Sequence, residues 1–143
     1  MLGVAQSVPI ATPGKIALLT FAGTTGQRIS VLSSSWAMSQ NVTITIKRPD
    51  GSTMYGPSNL GNGWYLDTMT LSATGTYTLV VDPISSGTGS QTIRIYDVPA
   101  DFSGSITAGG AAVSVPISTP GQGASLTFAG TTGQRISVLS SSW

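Results

Sequence analysis

The chain has 143 residues, 8% of them charged, and it contains no Cys, His or Glu. Its net charge of +1 leaves no electrostatic case for binding nucleic acid or an anionic membrane. The missing Cys excludes a disulfide framework, and the missing His removes the commonest general base. No apolar run approaches the roughly 18 residues that a membrane-spanning helix needs, so no membrane insertion is expected.

Strand patterns follow one another along the sequence, and no segment repeats its apolar residues at a helical period. Val8 and Ile10 alternate around Pro9, and Thr12-Pro13-Gly14 makes a turn. Residues 15–21 read as a strand, 22–26 as a hairpin loop, and Ile29 and Val31 as the next strand, closed by Ser33-Ser34-Ser35. Val42, Ile44 and Ile46 against Thr43, Thr45 and Lys47 give the cleanest alternation in the chain. It runs into the tight turn Arg48-Pro49-Asp50-Gly51, with Pro at the first central position. A short strand over 52–55, a Gly-rich loop over 56–63 and a strand over 64–71 follow. Leu71 to Tyr77 and on to Leu79 and Val81 has the form of a tyrosine corner, in which a Tyr hydroxyl returns to the backbone just upstream. After a loop over 83–90, residues 91–98 form the last long strand, and a short one is expected near 103–106. About eight short strands with turns every 8 to 12 residues predict an antiparallel β-sandwich of Greek-key or jelly-roll type.

The stretch TFAGTTGQRISVLSSSW at 20–36 recurs letter for letter at 127–143, and residues 3–19 match 110–126 at the same offset with six differences. A repeat of this kind sets the architecture. It predicts one complete sandwich unit, 1–109, followed by the first third of a second, 110–143, in a piece of a longer tandem array. A competing frame, 37–143, also holds one copy of every segment. It would cut the short link 33–41 between two strong strands, so the first frame is favoured. The partial copy should then fray, or pair with a neighbouring chain through an unprotected edge. The two copies also orient the strand at 15–21. Ile16 and Leu18 become Gly123 and Ser125, whereas Ala17, Leu19 and Phe21 recur as Ala124, Leu126 and Phe128. Residues two apart share a face, so 17, 19 and 21 should point inward.

The segments LTFAGTTGQRISVL, TITIKRPDGST, LSATGTYTLVVDP and TIRIYDVPADFSGSI resemble the tandem β-sandwich modules of large bacterial secreted and cell-surface proteins, often found beside RHS/YD-repeat regions. Their order of turn and core residues is more distantly similar to the bacterial pre-peptidase C-terminal domain. The resemblance spans the whole unit and rests on turns and core positions. It implies a non-catalytic extracellular spacer or adhesion module whose partners are neighbouring repeats.

Chemistry-bearing residues are few. No His can activate the many serines, and Asp50, Asp67, Asp82, Asp97 and Asp101 do not sit in the sequence context of an aspartic protease, so no enzyme is expected. No cofactor is expected either. Asp82, Asp97 and Asp101, at strand ends and in the linker, are the candidate calcium ligands, though without the dense acidic run that calcium loops carry. Asn41-Val42-Thr43 spells a glycosylation sequon at a strand start. Tyr55, Trp64 and Tyr65 flank the Gly-rich loop and are the candidate carbohydrate contacts; Trp36, repeated as Trp143, suits the rim of a core. Two functions follow: a structural bead in an extracellular or cell-surface array, or a polysaccharide- or surface-binding module using the aromatics near Trp64. A coplanar, exposed Trp64–Tyr65 pair would favour the second.

Overall fold

The computed structural model describes residues 2–141, and among them there is no helix. Contacts divide the described chain into two units: residues 2–99 together with Thr119–Gly121, and residues 100–118 with 122–141.

Unit 1 contains eight strands: β1 Gln6–Ile10, β2 Ala17–Gly23, β3 Arg28–Met38, β4 Val42–Lys47, β5 Thr53–Leu60, β6 Tyr65–Thr70, β7 Gly75–Pro83 and β8 Gly89–Asp97. They form two four-stranded sheets, β1-β8-β3-β6 and β2-β7-β4-β5, with every pair antiparallel. These strand orders are those of a jelly roll. Apart from the β4–β5 hairpin, the chain passes back and forth between the sheets, so strands that follow one another in sequence lie in opposite sheets. The predicted sandwich is thus the observed fold.

Period-2 alternation explains the core. Val42, Ile44 and Ile46 of β4, Tyr77, Leu79 and Val81 of β7, Ile29 and Val31 of β3, and Ile93 and Ile95 of β8 are all buried. On β2, Phe21 is buried and Ala17 and Leu19 pack against the core, while Ile16 and Leu18 are exposed. The orientation inferred from the two copies is the one observed.

Two strands run further than their sequence suggests. β3 continues through Ser33-Ser34-Ser35 to Met38, because a bulge absorbs the serines: its register on β8 shifts between Ser34 and Ala37, and Ser35 has φ 50°. One extra residue reverses the parity of the strand. Trp36 and Met38 therefore fall on the core side, and Trp36 packs at the margin of the core as expected; Trp143, its copy, lies outside the described residues. Likewise β5 takes in most of the predicted loop 56–63, extending to a buried Leu60. Gly56 makes this workable, since it has φ 86° and a Cβ there would collide with the Ile44 carbonyl oxygen.

The tyrosine corner is present. The Tyr77 hydroxyl accepts from the Ala73 amide at 3.0 Å and donates to the Ala73 carbonyl at 2.9 Å. Its ring stacks on Phe21 with centroids 5.4 Å apart. At the 48–51 turn, Asp50 accepts from the Ser52 hydroxyl at 2.6 Å and the Ser52 amide at 2.9 Å, and these bonds hold its carboxyl below the ordinary carboxylate range.

Unit 2 contains two strands, β9 Phe102–Ser105 and β10 Ala124–Thr127, paired in parallel. The strand expected near 103–106 is β9. Asp101 accepts from the Gly123 amide at 2.9 Å, and Gln122 donates to the Ala100 carbonyl at 3.0 Å. Residues 128–141 form no strand, and Val138 and Leu139 are about 90% exposed, whereas Val31 is fully buried.

Two stability predictions follow from these positions. Tyr77→Phe keeps the ring and strips Ala73 of both hydrogen bonds, and it should cost about 1–3 kcal/mol in chemical denaturation. Ile29→Asp places an unpaired charge in a wholly buried site and should abolish the cooperative transition, while Ile136→Asp, at a position 50% exposed, should leave it within about 0.5 kcal/mol.

Candidate functional site

The three aromatic candidates are not all exposed: Tyr55 and Trp64 are half-buried and Tyr65 is exposed. Trp64 immediately precedes β6 and Tyr65 opens it, so in an extended backbone their side chains leave on opposite faces. The Trp64 ring packs against the core margin together with Tyr55, their centroids 6.3 Å apart and their planes tilted by 46°. Backbone bonds fix this entry to the strand: Trp64 donates to the Gly61 carbonyl at 3.3 Å and accepts from the Ser33 amide at 2.8 Å. Tyr65 lies on the outer face of the sheet, 38% exposed. A coplanar, exposed Trp64–Tyr65 pair is therefore absent.

Around Tyr65 the outer face carries a small polar receptor that the sequence reading missed. Register on β3 shifts between Ile29, opposite Met69, and Val31, opposite Leu66, so β6 bulges at Asp67-Thr68. Ser30 on β3 and Thr68 in the bulge both hold the turn Thr119-Pro120-Gly121. The Ser30 hydroxyl donates to the Pro120 carbonyl at 2.7 Å, and the Thr68 hydroxyl donates to the Gly121 carbonyl at 2.6 Å. Gly121 has φ 92°, and a Cβ there would lie 2.6 Å from the Tyr65 hydroxyl and 3.1 Å from Ser30 Cβ. Only a glycine lets the backbone come this close. The signal that could have found the receptor was in the sequence: Thr119-Pro120-Gly121 repeats Thr12-Pro13-Gly14. Around Gly14, by contrast, a Cβ would meet nothing within 4 Å.

Ser33 and Gln91 were missed as well. They form a buried polar pair on the core face, with the Ser33 hydroxyl donating to Gln91 Oε1 at 2.8 Å. Gln91 Nε2 is buried without a hydrogen-bond partner.

The candidate calcium ligands are placed separately. Asp82 is exposed on β7, Asp97 ends β8 and accepts from Gln27 Nε2 at 2.9 Å, and Asp101 binds the Gly123 amide. Among the described residues no three acidic, His or Cys side chains gather as a metal site would require. A cavity of about 470 Å³ in unit 1 is open to solvent and lined by Ala22, Gly23, Thr24, Gln27, Thr74, Gly75 and Thr76. None of those side chains can serve as an acid, base or charged electrophile near neutral pH.

No protein-family model matches the sequence, and no curated protein does. Among solved structures, the pre-peptidase C-terminal domain of collagenase from Bacillus anthracis is similar, with a TM-score of 0.51 at 14% identity, over 66% of this chain and 89% of that one. At that identity the likeness is one of fold, and it supports the distant similarity read from the turn and core residues. A periplasmic inhibitor of g-type lysozyme from Aeromonas hydrophila aligns at a TM-score of 0.41 and 17% identity, over 64% of this chain and 82% of that one, too weakly for any inference.

The two equivalent glycines test the receptor. Ala substitution imposes similar backbone strain at Gly14 and at Gly121, since both have positive φ. Gly121→Ala should also push the turn off Ser30 and Thr68, and its extra cost relative to Gly14→Ala should be about 1–3 kcal/mol in urea melts.

Proposed function

We propose that this protein is a non-catalytic structural module, a spacer or adhesion bead in a secreted or cell-surface tandem array. The single observation that carries this reading is the letter-for-letter return of residues 20–36 at 127–143. Recurrence of one sandwich unit in series is how extended repeat proteins gain length. The chemistry of the surface agrees with it. Ser, Thr and Gly supply most of the polar groups, and the cavity in unit 1 offers nothing to activate a nucleophile. The Thr-Pro-Gly turn, present once per copy and held at Ser30 and Thr68 in its second occurrence, also favours a serial arrangement. The order of core motifs that resembles modules beside RHS/YD-repeat regions points to the same class of parent protein.

Carbohydrate or surface binding through Tyr55, Trp64 and Tyr65 is the second reading, favoured by the exposed ring of Tyr65. Trp64 and Tyr55 are drawn toward the core margin, which weakens them as a stacking platform.

Incubation of the full chain with peptide and glycoside substrates should give no turnover. Turnover abolished by one Asp→Asn substitution would overturn the structural reading. For the second reading, Tyr65→Ala should remove polysaccharide retention in affinity electrophoresis and change stability by less than about 1 kcal/mol. Trp64→Ala should cost about 1–3 kcal/mol whether or not a sugar binds, because the ring packs on the core.

A further inference from the structure

The sheet β2-β7-β4-β5 ends at β2, and the backbone geometry defines which of its groups face outward. The Ile84 amide donates to the Asn41 carbonyl, so Asn41 and Ile84 form a hydrogen-bonded antiparallel pair beyond Val42 and Pro83. Hydrogen-bonded pairs alternate along an antiparallel ladder. The even-numbered residues of β7 therefore bond to β4, and its odd-numbered residues bond to Ala17, Leu19, Phe21 and Gly23 of β2. The amides and carbonyls of Leu18, Thr20 and Ala22 are left pointing away from the sheet.

Unit 2 shows a strand that pairs with the same groups in the second copy. β10 repeats β2 with an offset of 107 residues, Leu126 and Thr127 standing for Leu19 and Thr20. β9 lies parallel to it, with the Phe102 amide donating to the Gly123 carbonyl at 3.0 Å and the Ile106 amide to the Thr127 carbonyl at 2.9 Å. In a parallel ladder this register uses Gly123, Ser125 and Thr127 of β10. Their counterparts in β2 are Ile16, Leu18 and Thr20, on the outward edge. β9 thus occupies the side of β10 that in β2 is left open, opposite the side taken by β7.

Side chains agree with the backbone. Phe102, Gly104 and Ile106 are half-buried while Ser103 and Ser105 are exposed, and Gly104 sits against the Leu126 side chain. Leu126 corresponds to Leu19, which is only half-buried at the margin of the unit 1 core. A strand of the β9 type beside β2 would cover it.

We propose that the outer edge of β2 is a strand-docking site that takes the Phe102–Ile106 segment of another copy of the repeat, in parallel, as a fifth strand of the sheet. The occupant is an extended backbone with an apolar–small–apolar inner face, and the recognition is β-augmentation. This deepens the array reading, on which it rests: each repeat's last strand closes the open edge of the next repeat, which protects an edge that would otherwise invite aggregation. The register puts Leu19 opposite Gly104 of the incoming strand, as Leu126 is opposite Gly104 in unit 2.

The test uses the full chain and a labelled synthetic peptide of residues 99–108. Fluorescence anisotropy should show saturable binding, and the Leu18 and Thr20 amides should become protected from hydrogen exchange. Leu18→Pro removes an outward amide without touching the ladder to β7, a position where an edge strand tolerates proline. It should weaken binding by about tenfold or more, whereas Leu18→Ala, which trims only an exposed side chain, should bind as the parent does. A thermal melt of Leu18→Pro checks that the sandwich stands, and Leu18→Lys, with its amide intact, should still bind if the proline variant unfolds. The proposal fails if the peptide does not bind, if a scrambled peptide binds equally, or if folded Leu18→Pro binds unchanged. Enzymatic turnover would end the array reading but leave this pairing standing, while absence of peptide binding would refute the pairing alone.

Discussion

Tyr77 ties the two requirements of this fold together. Its ring is fully buried and stacks on Phe21, so it fills the core between the sheets. Its hydroxyl reaches back to both polar groups of Ala73, so a buried phenol is satisfied without water. The same contact fixes where β7 begins, and β7 lies between β2 and β4 in its sheet. Gly23 records how tight this corner is: a Cβ there would collide with Leu71 and lie 3.2 Å from the Tyr77 ring. Without that pinned start, the alternation of β7 would have no fixed register, and a one-residue slip would turn Leu79 and Val81 outward.

From this corner the rest of the sandwich follows with little electrostatic help. None of the Lys, Arg or Asp residues is fully buried among the described residues, and the buried polar side chains are Ser30, Ser33 and Gln91. Hydrophobic burial and backbone ladders carry the stability, which suits a surface built from Ser, Thr and Gly. With so few charges, specificity has to come from shape and backbone. The receptor for the Thr119–Gly121 turn uses two hydroxyls and a close-approach glycine. The β9–β10 pairing uses main-chain groups and a small residue under Leu126. Such contacts do not vary with ionic strength as ion pairs do.

The repeat also separates what a segment is from what it does. Residues 20–34 and 127–141 are identical, yet Ile29 is buried and Ile136 is half-exposed. The difference lies in partners. β2 pairs with β7, and β3 with β8 and β6, whereas residues 128–141 form no strand. Strand structure is mostly tertiary: a pleated backbone has no internal hydrogen bonds, and an alternating sequence stays extended only against neighbours.

The sequence by itself determined the class of fold, the tyrosine corner, the turn at 48–51 and the inward face of β2, because each depends on near-neighbour chemistry or period-2 alternation. It also determined that the chain repeats, and that it contains no His, Cys or Glu. Only the tertiary structure decided the passage of β3 through three serines, the capture of a Gly-rich segment as β5, and the separation of Trp64 from Tyr65. Each of these depends on a bulge or a close approach between strands distant in sequence, which no local pattern encodes. The receptor formed by Ser30 and Thr68 beside Tyr65 was illegible for the same reason. Its members are ordinary strand residues until a bulge in β6 and a glycine many residues away bring them to one point. The open edge of β2 is tertiary as well, since which amides face outward depends on the register of β7 against β4, a quantity set by pairing across the whole sheet.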